Sequence, residues 1–453
     1  MMEREQGWAL VATSLGFGAV QLDVSVVNVA ITPIGADLGG SIGGLQWVVD
    51  AYTVAFAALL LSAGALGDRI GARRVFFAGF ALFTLASMGC GSAPSLGWLI
   101  AARAVQGIGA AALVPCSLTL LNHAYPDTRA RARAIGRWAA GASAALSAGP
   151  LVGGVLTAAL GWRSIFYINV PIGLVGILLT ARYAAETLRS PGRGVDLPGQ
   201  GMAVLALVVL AATTVEGGRR GFADPVVAAG FGLAAVALGG FVLVESRRAE
   251  PMLPLGLFRS PTFAALSAVG LLVNIAFYGL IFLLGLYFQT TRHYSALATG
   301  LAFAPSTASV LVANLGAGRL TRAFGTRSVL AGAALLMAAS LGGLLVVGPG
   351  TAYPTIVVQL SALGFGLGLI VPAMTAAMLG SVDTARSGVA SGALQTARQT
   401  GSVIGVALFG SLATGNLVTG LRLALVTAGG LTLVVVALVV AALSTGVERA
   451  RPA

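Results

Sequence analysis

One device recurs from end to end of this 453-residue chain: a long apolar run, then a short break holding arginine, proline or glycine. A helix needs roughly 20 consecutive apolar residues to cross the hydrocarbon of a bilayer. Fourteen windows meet that need, over approximately 8–32, 45–66, 75–93, 97–121, 135–158, 165–181, 199–216, 224–244, 262–288, 297–318, 328–347, 354–378, 387–414 and 421–444. The glycine-rich stretch 354–378 has the least sharp limits. The spacing therefore predicts an all-α integral membrane protein with fourteen transmembrane helices.

Composition excludes the main alternatives. Charged residues make up only 9% of the chain and hydrophobic ones 57%, whereas an ordinary soluble domain is about one quarter charged. So little charge cannot cover a water-facing surface without very large apolar patches. Disorder is excluded because its mark is low hydrophobicity. The run from Trp8 to Ile34 is too long for a cleaved signal, and Met1 to Gln6 lacks a basic leader, so this run is expected to be the first span.

All 27 basic residues are arginine. A chain without lysine has no Walker A loop and no Schiff-base chemistry, which argues against self-powered ATP hydrolysis. The net charge of +12 is spread singly between apolar runs, unlike the clustered basic face of a nucleic-acid binder; the expected partner is the lipid bilayer. Cys90 and Cys116 lie in apolar stretches, and His123 and His293 stand at the ends of separate spans far from any acid-rich cluster. No disulfide framework, metal site or cofactor is expected. Gly107-Ile-Gly109 imitates a dinucleotide fingerprint but lies inside a span, with no strand before it.

An even number of spans puts both termini on one side, and short cytoplasmic loops hold the positive charge. With the termini inside, the inner segments carry Arg4; Arg69, Arg73 and Arg74; Arg129, Arg131, Arg133 and Arg137; Arg182, Arg189 and Arg193; Arg247, Arg248 and Arg259; Arg319, Arg322 and Arg327; Arg386; Arg449 and Arg451. The outer segments carry only Arg163, Arg219, Arg220, Arg292 and Arg422, and Arg103 and Arg398 fall within spans. Omitting one early helix would scramble this asymmetry. Both termini are therefore expected to be cytoplasmic.

The chain also repeats itself. Gly64-Ala-Leu66-Gly-Asp68-Arg69-Ile-Gly71-Ala-Arg73 matches Gly318-Arg-Leu320-Thr-Arg322-Ala-Phe-Gly325-Thr-Arg327 at an offset of 254 residues, which also carries the first span onto the ninth and the fifth onto the thirteenth. Secondary transporters are commonly built from such repeats, with the binding site between them. The expected plan is a six-helix bundle over 1–185, two inserted helices over 186–257 and a second six-helix bundle over 258–453.

The loop Gly64-x-Leu66-Gly67-Asp68-Arg69-x-Gly71-x-Arg73-Arg74 resembles the signature loop of the major facilitator superfamily. Leu22-Asp23-Val-Ser-Val-Val-Asn28-Val-Ala, Gly149-Pro150-Leu-Val-Gly153-Gly154 and Trp162-Arg163-Ser-Ile-Phe166-Tyr-Ile-Asn169-Val-Pro171 narrow the likeness to the fourteen-span drug:proton antiporters of the EmrB/QacA type. The resemblance covers essentially the whole chain. It departs at Pro33, one place late after Thr32, and at Ala65, where the loop often holds arginine.

Asp23 lies about 15 residues into its span, roughly 22 Å from the inner end and 14 Å from the outer at 1.5 Å per residue. Burial there disfavours the charged form, and ionisable groups within the membrane are functional candidates; the bland alternative is a carboxylate that only clamps helices. Arg103 sits about 9 Å below the outer end of span four by the same rise. Arginine keeps its charge and needs a partner, and the acids within first-half spans are Asp23 and Asp50. Arg103-x-x-Gln106-Gly107 matches a family motif linked to proton transfer. Asp23, Arg103, Asn28 and Gln106 are thus the candidates for proton coupling and substrate contact.

Asp50 lies about 27 Å along its helix from Asp68, beside Trp47 and Tyr52, and reads as a solvated acid at the outer interface; Glu216 reads the same way. Arg398 lies about 16 Å into span thirteen in a half whose spans contain no acid. Its pattern, Gln395-Thr-Ala-Arg398-Gln399, resembles one of the family; carbonyl or amide partners such as Gln359, Asn274 or Asn314 are one expectation, and a role in gating or substrate contact is the other. In span five, Gly141, Ala145, Gly149 and Gly153 put small residues on one face for close helix packing, and Pro150 removes a backbone donor; the resemblance ties Gly149, Pro150, Gly153 and Gly154 to antiport. It makes Gly64, Asp68, Arg69, Gly71 and Arg73 a gate latch.

The function expected is proton-coupled efflux of hydrophobic or amphipathic drug-like molecules by alternating access, driven by the proton gradient. A specific exporter of one metabolite or antibiotic is the alternative within transport. A membrane sensor or enzyme is the alternative from another class, and an enzyme would need convergent groups beyond Asp23 and Arg103.

Overall fold

The computed structural model describes residues 2–187, 196–248, 251, 253–382 and 387–443, without the side chains of 2–5, 128, 129, 132, 387 and 388. Of the arginines assigned above, Arg189, Arg193, Arg386, Arg449 and Arg451, and the side chains of Arg4 and Arg129, lie outside the described residues. The described residues contain no strand. The long helices are α1 (Met2–Leu38), α2 (Ile42–Ile70), α3 (Ala72–Gly91), α4 (Leu96–Ala124), α5 (Thr128–Leu160), α6 (Ser164–Tyr183), α7 (Leu197–Arg220), α8 (Pro225–Arg247), α9 (Pro261–Leu286), α10 (Ala296–Phe324), α11 (Thr326–Gly343), α12 (Tyr353–Gly380), α13 (Ser387–Leu412) and α14 (Leu417–Leu443). Each overlaps one expected window, and α6 has a one-residue break at Ile168.

Thirteen of these helices are long and apolar enough to cross a membrane. The exception is α13, long enough but interrupted by Gln395, Thr396, Arg398, Gln399 and Thr400. Leu85, Leu160, Leu178, Val236, Leu315 and Val426 are all more than half exposed, an apolar surface larger than a water-facing protein carries.

Local chemistry sets the helix limits. Ser41, Ser95, Asp127 and Ser260 cap α2, α4, α5 and α9, each accepting an amide of the first turn. The Asp127 cap explains why α5 starts before its apolar window at 135: a good N-cap followed by arginine and alanine carries the helix into the charged segment. Pro354 in the first turn starts α12, a position that needs no amide donor. Between α2 and α3 the chain turns at Gly71 with φ +106°, and between α10 and α11 at Gly325 with φ +80°. A Cβ is disfavoured at such angles, and the two glycines stand 254 positions apart, so the repeat is a repeat of backbone path.

The chain divides into two compact units. The first comprises Met1–Val208, Ala235–Met252 and Ser295–Gly300; the second comprises Val209–Ala234, Leu253–Tyr294 and Leu301–Ala453. In the first, α1 packs along α5, and α4 lies against α2 and α3. The small-residue face read from the sequence is the one used: Gly141, Ala145, Gly149 and Gly153 meet Ser14, Gly18, Ser25 and Val26 of α1. Gly154 meets the backbone of Ala296–Gly300 within the same unit.

In the second unit α9 packs along α13, and α11 lies against α12 and α14. Here Gly401 and Gly405 of α13 press on the carbonyls of Leu271 and Ile275. Gly107 rests on the Tyr52 carbonyl in the first unit, and Gly364 on the Ser306 carbonyl in the second; Tyr52 and Ser306 again differ by 254 positions.

A side chain at Gly153 would strike the Val26 carbonyl, and such overpacking costs about 1–3 kcal/mol. Gly153→Leu should therefore lower the thermal midpoint of the purified protein in detergent by several degrees. Gly97→Ala, at an exposed position with open space around it, should leave the midpoint within about one degree.

Candidate functional site

The membrane carboxylate and the membrane guanidinium of the first half meet. Asp23 is fully buried on α1 and Arg103, 1% exposed, lies on α4; Arg103 Nη1 forms an ion pair and hydrogen bond with Asp23 Oδ2. Sequence left Asp23 and Asp50 both open as partners of Arg103, and the structure selects Asp23.

Further donors converge on the same carboxylate. Gln106, one turn along α4 from Arg103, donates through Nε2 to Asp23 Oδ1 at 2.9 Å, and Asn169, just past the break in α6, donates through Nδ2 to the same oxygen at 2.9 Å. Arg103 in turn donates through Nε to the Val48 carbonyl at 3.0 Å and through Nη1 to Gln106 Oε1 at 2.7 Å. Its guanidinium carbon lies 4.2 Å from the centre of the Tyr52 ring and 5.8 Å from that of Phe166, close enough for cation–π attraction. Gln106 Nε2 also donates to Ser87 Oγ at 2.8 Å, and the Cys90 thiol points at Gln106 Oε1 at 3.7 Å.

Five helices, α1, α2, α3, α4 and α6, thus build one polar knot around a pair of opposite charges. Every partner offered to Asp23 is a donor, the arrangement that suits an ionised carboxylate. Asn169 Oδ1 is buried beside Asp23 with no hydrogen-bond partner.

In the sequence Asn169 is one residue of the motif Trp162–Pro171, and its signal there is a polar amide in an otherwise apolar span. Asn28 is buried but bonds the Val24 carbonyl of its own helix at 3.1 Å, so it is not part of the knot.

The expected solvated position of Asp50 is corrected. Asp50 is fully buried, and neither carboxylate oxygen has a hydrogen-bond partner. Axial depth placed it at an interface, but lateral packing of α2 covers it. Glu216 is part-exposed and pairs with Arg219 at 3.2 Å and with Arg220 on its own helix.

The loop between α2 and α3 has a partner that the sequence did not reveal. Ala72 N donates to Thr187 Oγ1 at 2.9 Å and Arg73 N to Glu186 Oε1 at 3.2 Å, while Arg73 Nη2 reaches the Ala181 carbonyl at 2.6 Å and Arg74 pairs with Glu186 at 3.5 Å. The segment after α6 therefore caps the N-terminus of α3 from outside, where free amides and the helix dipole favour a carboxylate. The turn leaves no room for a side chain at Gly71, whose Cβ would fall on the Glu186 carboxylate. Gly64 packs on Pro115 and Gly67 on Cys116 of α4. Asp68 is half-buried and Arg69 exposed.

In the second unit Arg398 Nη1 donates to Gln395 Oε1 at 3.1 Å, and its shielded Nε has no hydrogen-bond partner. Two of the partners expected for it do other things: Asn274 Nδ2 bonds the Gly270 carbonyl at 2.7 Å, and the Gln359 amide lies over Gly343. Gln395, one turn away on the same helix, reaches first.

Removing Arg103 alone strands a buried carboxylate, a loss of about 3–5 kcal/mol. Arg103→Met should therefore unfold several degrees below the parent, and Asp23→Asn combined with Arg103→Met should recover more than half of that loss. Equal midpoints for the single and double variants would contradict the pairing. Glu186→Ala removes an N-terminal cap of about 1 kcal/mol, so hydrogen exchange at the amides of Ala72 and Arg73 should speed up about fivefold.

Comparison with known proteins follows the same lines. The family model described as Major Facilitator Superfamily matches residues 13–406. The chain is 38% identical over 404 residues to the methylenomycin A resistance protein of Streptomyces coelicolor, covering 89% of this chain and 85% of that one. It is 37% identical over 412 residues to the multidrug resistance protein Stp of Mycobacterium tuberculosis, covering 91% of this chain and 76% of that one. Among solved structures, a bacterial homologue of the human lysosomal transporter Spinster superposes with a TM-score of 0.70 over 99% of each chain at 18% identity, a likeness of fold.

Proposed function

The chain belongs to the Major Facilitator Superfamily and is a multi-pass membrane transporter, and from that premise we propose that it is a drug:proton antiporter exporting hydrophobic or amphipathic small molecules. The supporting observation is the buried Asp23–Arg103 pair, tied by Gln106 and Asn169. A buried ion pair is costly to assemble, and the carboxylate is a group that can trade its cation for a proton. The two relatives above, named for resistance to methylenomycin A and to multiple drugs, support the direction and the cargo.

In this reading a proton arriving at Asp23 releases Arg103. The Asn169 amide then turns, offering its unused Oδ1 to the new hydroxyl. Access to the pair then switches sides, and proton release on the cytoplasmic side resets it. One charge moving down 100 mV supplies about 2.3 kcal/mol, enough for roughly fiftyfold accumulation. Asp50, buried without a donor, is a second candidate to carry a proton. The loop Gly64, Asp68, Arg69, Gly71 and Arg73 acts as the latch, and the α5 seam at Gly149, Pro150, Gly153 and Gly154 lets helices slide.

We further propose the fourteen-span EmrB/QacA type, with bundles over 1–185 and 258–453, inserted helices between them and both termini in the cytoplasm. The arginine asymmetry of the sequence supports that orientation.

A second reading, a dedicated exporter of one antibiotic, is favoured by the methylenomycin A resistance relative. Efflux profiling over chemically unrelated drugs separates the two. The main test is export in everted vesicles: the parent chain should accumulate ethidium when the interior is acid and stop when the gradient is collapsed. Asp23→Asn should reduce gradient-driven accumulation at least tenfold, and intact coupling in that variant overturns the mechanism.

A further inference from the structure

We propose that Arg398 is a recognition point for anionic cargo, taking the carboxylate of an amphipathic organic acid at the seam of α9 and α13. The inference rests on the export reading and adds a cargo class to it.

The two membrane arginines are provided for very differently. Arg103 has a carboxylate, an amide, a carbonyl and an aromatic face. Arg398 has the same fixed charge, and its one side-chain bond is to the neutral Gln395, with Nε shielded and unpartnered. The spans of the second half contain no aspartate or glutamate to answer it. A cation taken out of water without a counter-charge is expensive, and a guanidinium presents donors in a fork that fits a carboxylate. Among the described residues, no carboxylate supplies for Arg398 the balance that Asp23 supplies for Arg103.

The surroundings suit one organic monoanion. Gly270, Asn274 and Tyr278 recur at four-residue spacing and share one face of α9, and Gln395, Arg398, Gln399 and Ser402 share one face of α13. Gly270 packs against the Arg398 stem and Asn274 against Gly401 of α13. The Tyr278 phenol lies within electrostatic reach of the guanidinium. Asn274 spends its amide N–H on Gly270, and Gln399 and Asn274 are buried. Aliphatic neighbours, Leu394 and Met374, flank the same point. A single positive charge, a few neutral polar groups and apolar walls select a monoanion with an oily body over a phosphate dianion. Arg398 is roughly 16 Å along the helix from Ser387, deeper than a lipid headgroup.

The test compares an acid with its neutral isostere. Binding of radiolabelled 2-naphthylacetate and 2-naphthylacetamide is measured on the purified full chain in phosphatidylcholine nanodiscs, with no proton gradient. The parent chain is expected to bind the acid at least tenfold more tightly than the amide. Arg398→Gln should lose that preference, with both compounds binding as the amide does, and Arg398→Lys should keep part of it.

Equal affinities in the parent chain overturn the proposal, even if neither variant folds, and so does a preference that survives in Arg398→Gln. Loss of acid binding when phosphatidylglycerol replaces part of the phosphatidylcholine assigns the site to a lipid anion and also overturns it. The export reading is judged separately: a parent chain that prefers the acid yet moves no ethidium under a pH gradient defeats export alone. One that exports ethidium but does not discriminate the acid defeats this inference alone.

Discussion

A carboxylate and a guanidinium cannot each sit alone in hydrocarbon, and the first unit is organised around that prohibition. Asp23 and Arg103 come from helices about 80 residues apart in the chain, and satisfying them recruits Gln106 from α4, Asn169 from α6, Ser87 from α3 and the Val48 carbonyl from α2. Close helix approach makes the meeting possible. Without Gly107 on the Tyr52 carbonyl and Gly149 and Gly153 against α1, these backbones would stand farther apart and the side chains would not span the gap. Small residues and charged residues are thus two parts of one requirement, the first setting the distance at which the second become tolerable.

Much of this was legible before any coordinates. Apolar windows located the fourteen helices because hydrocarbon thickness imposes a length, and the face of α5 that meets α1 followed from four-residue spacing alone. That Arg103 must meet an acid followed from its fixed charge, with Asp23, at similar depth, and Asp50 the two on offer. What escaped is what depends on direction around a helix axis. Asp50 has the depth of an interfacial residue, but its azimuth turns it inward. Gln359 and Asn274 were reasonable partners for Arg398 by type, yet a glutamine one turn away wins because its reach costs no helix rearrangement. Glu186 and Thr187 escaped for another reason: they cap a helix that starts more than 100 residues earlier, and no local pattern records such a bond.

The internal repeat separates backbone from chemistry. Gly71 and Gly325 make the same left-handed turn, and Tyr52 and Ser306 lend their carbonyls to glycines at matching crossings. Side chains did not follow. Inside its helices the first unit pairs Asp23 with Arg103, whereas Arg398 of the second meets the neutral Gln395. Two units with the same backbone path therefore carry different electrostatics.

The polarity of α13 bears on how the chain is made as well as on what it does. A segment carrying Gln395, Arg398 and Gln399 partitions poorly from the translocon, since a central arginine alone costs about 2.5–3.5 kcal/mol on the insertion scale. It must enter lipid in company, shielded by α9, already synthesised, and by α14, which follows it. Biogenesis of the second bundle is consequently a collective step: a ribosome that stops before α14 leaves behind a hairpin the bilayer rejects, a natural target for membrane quality control.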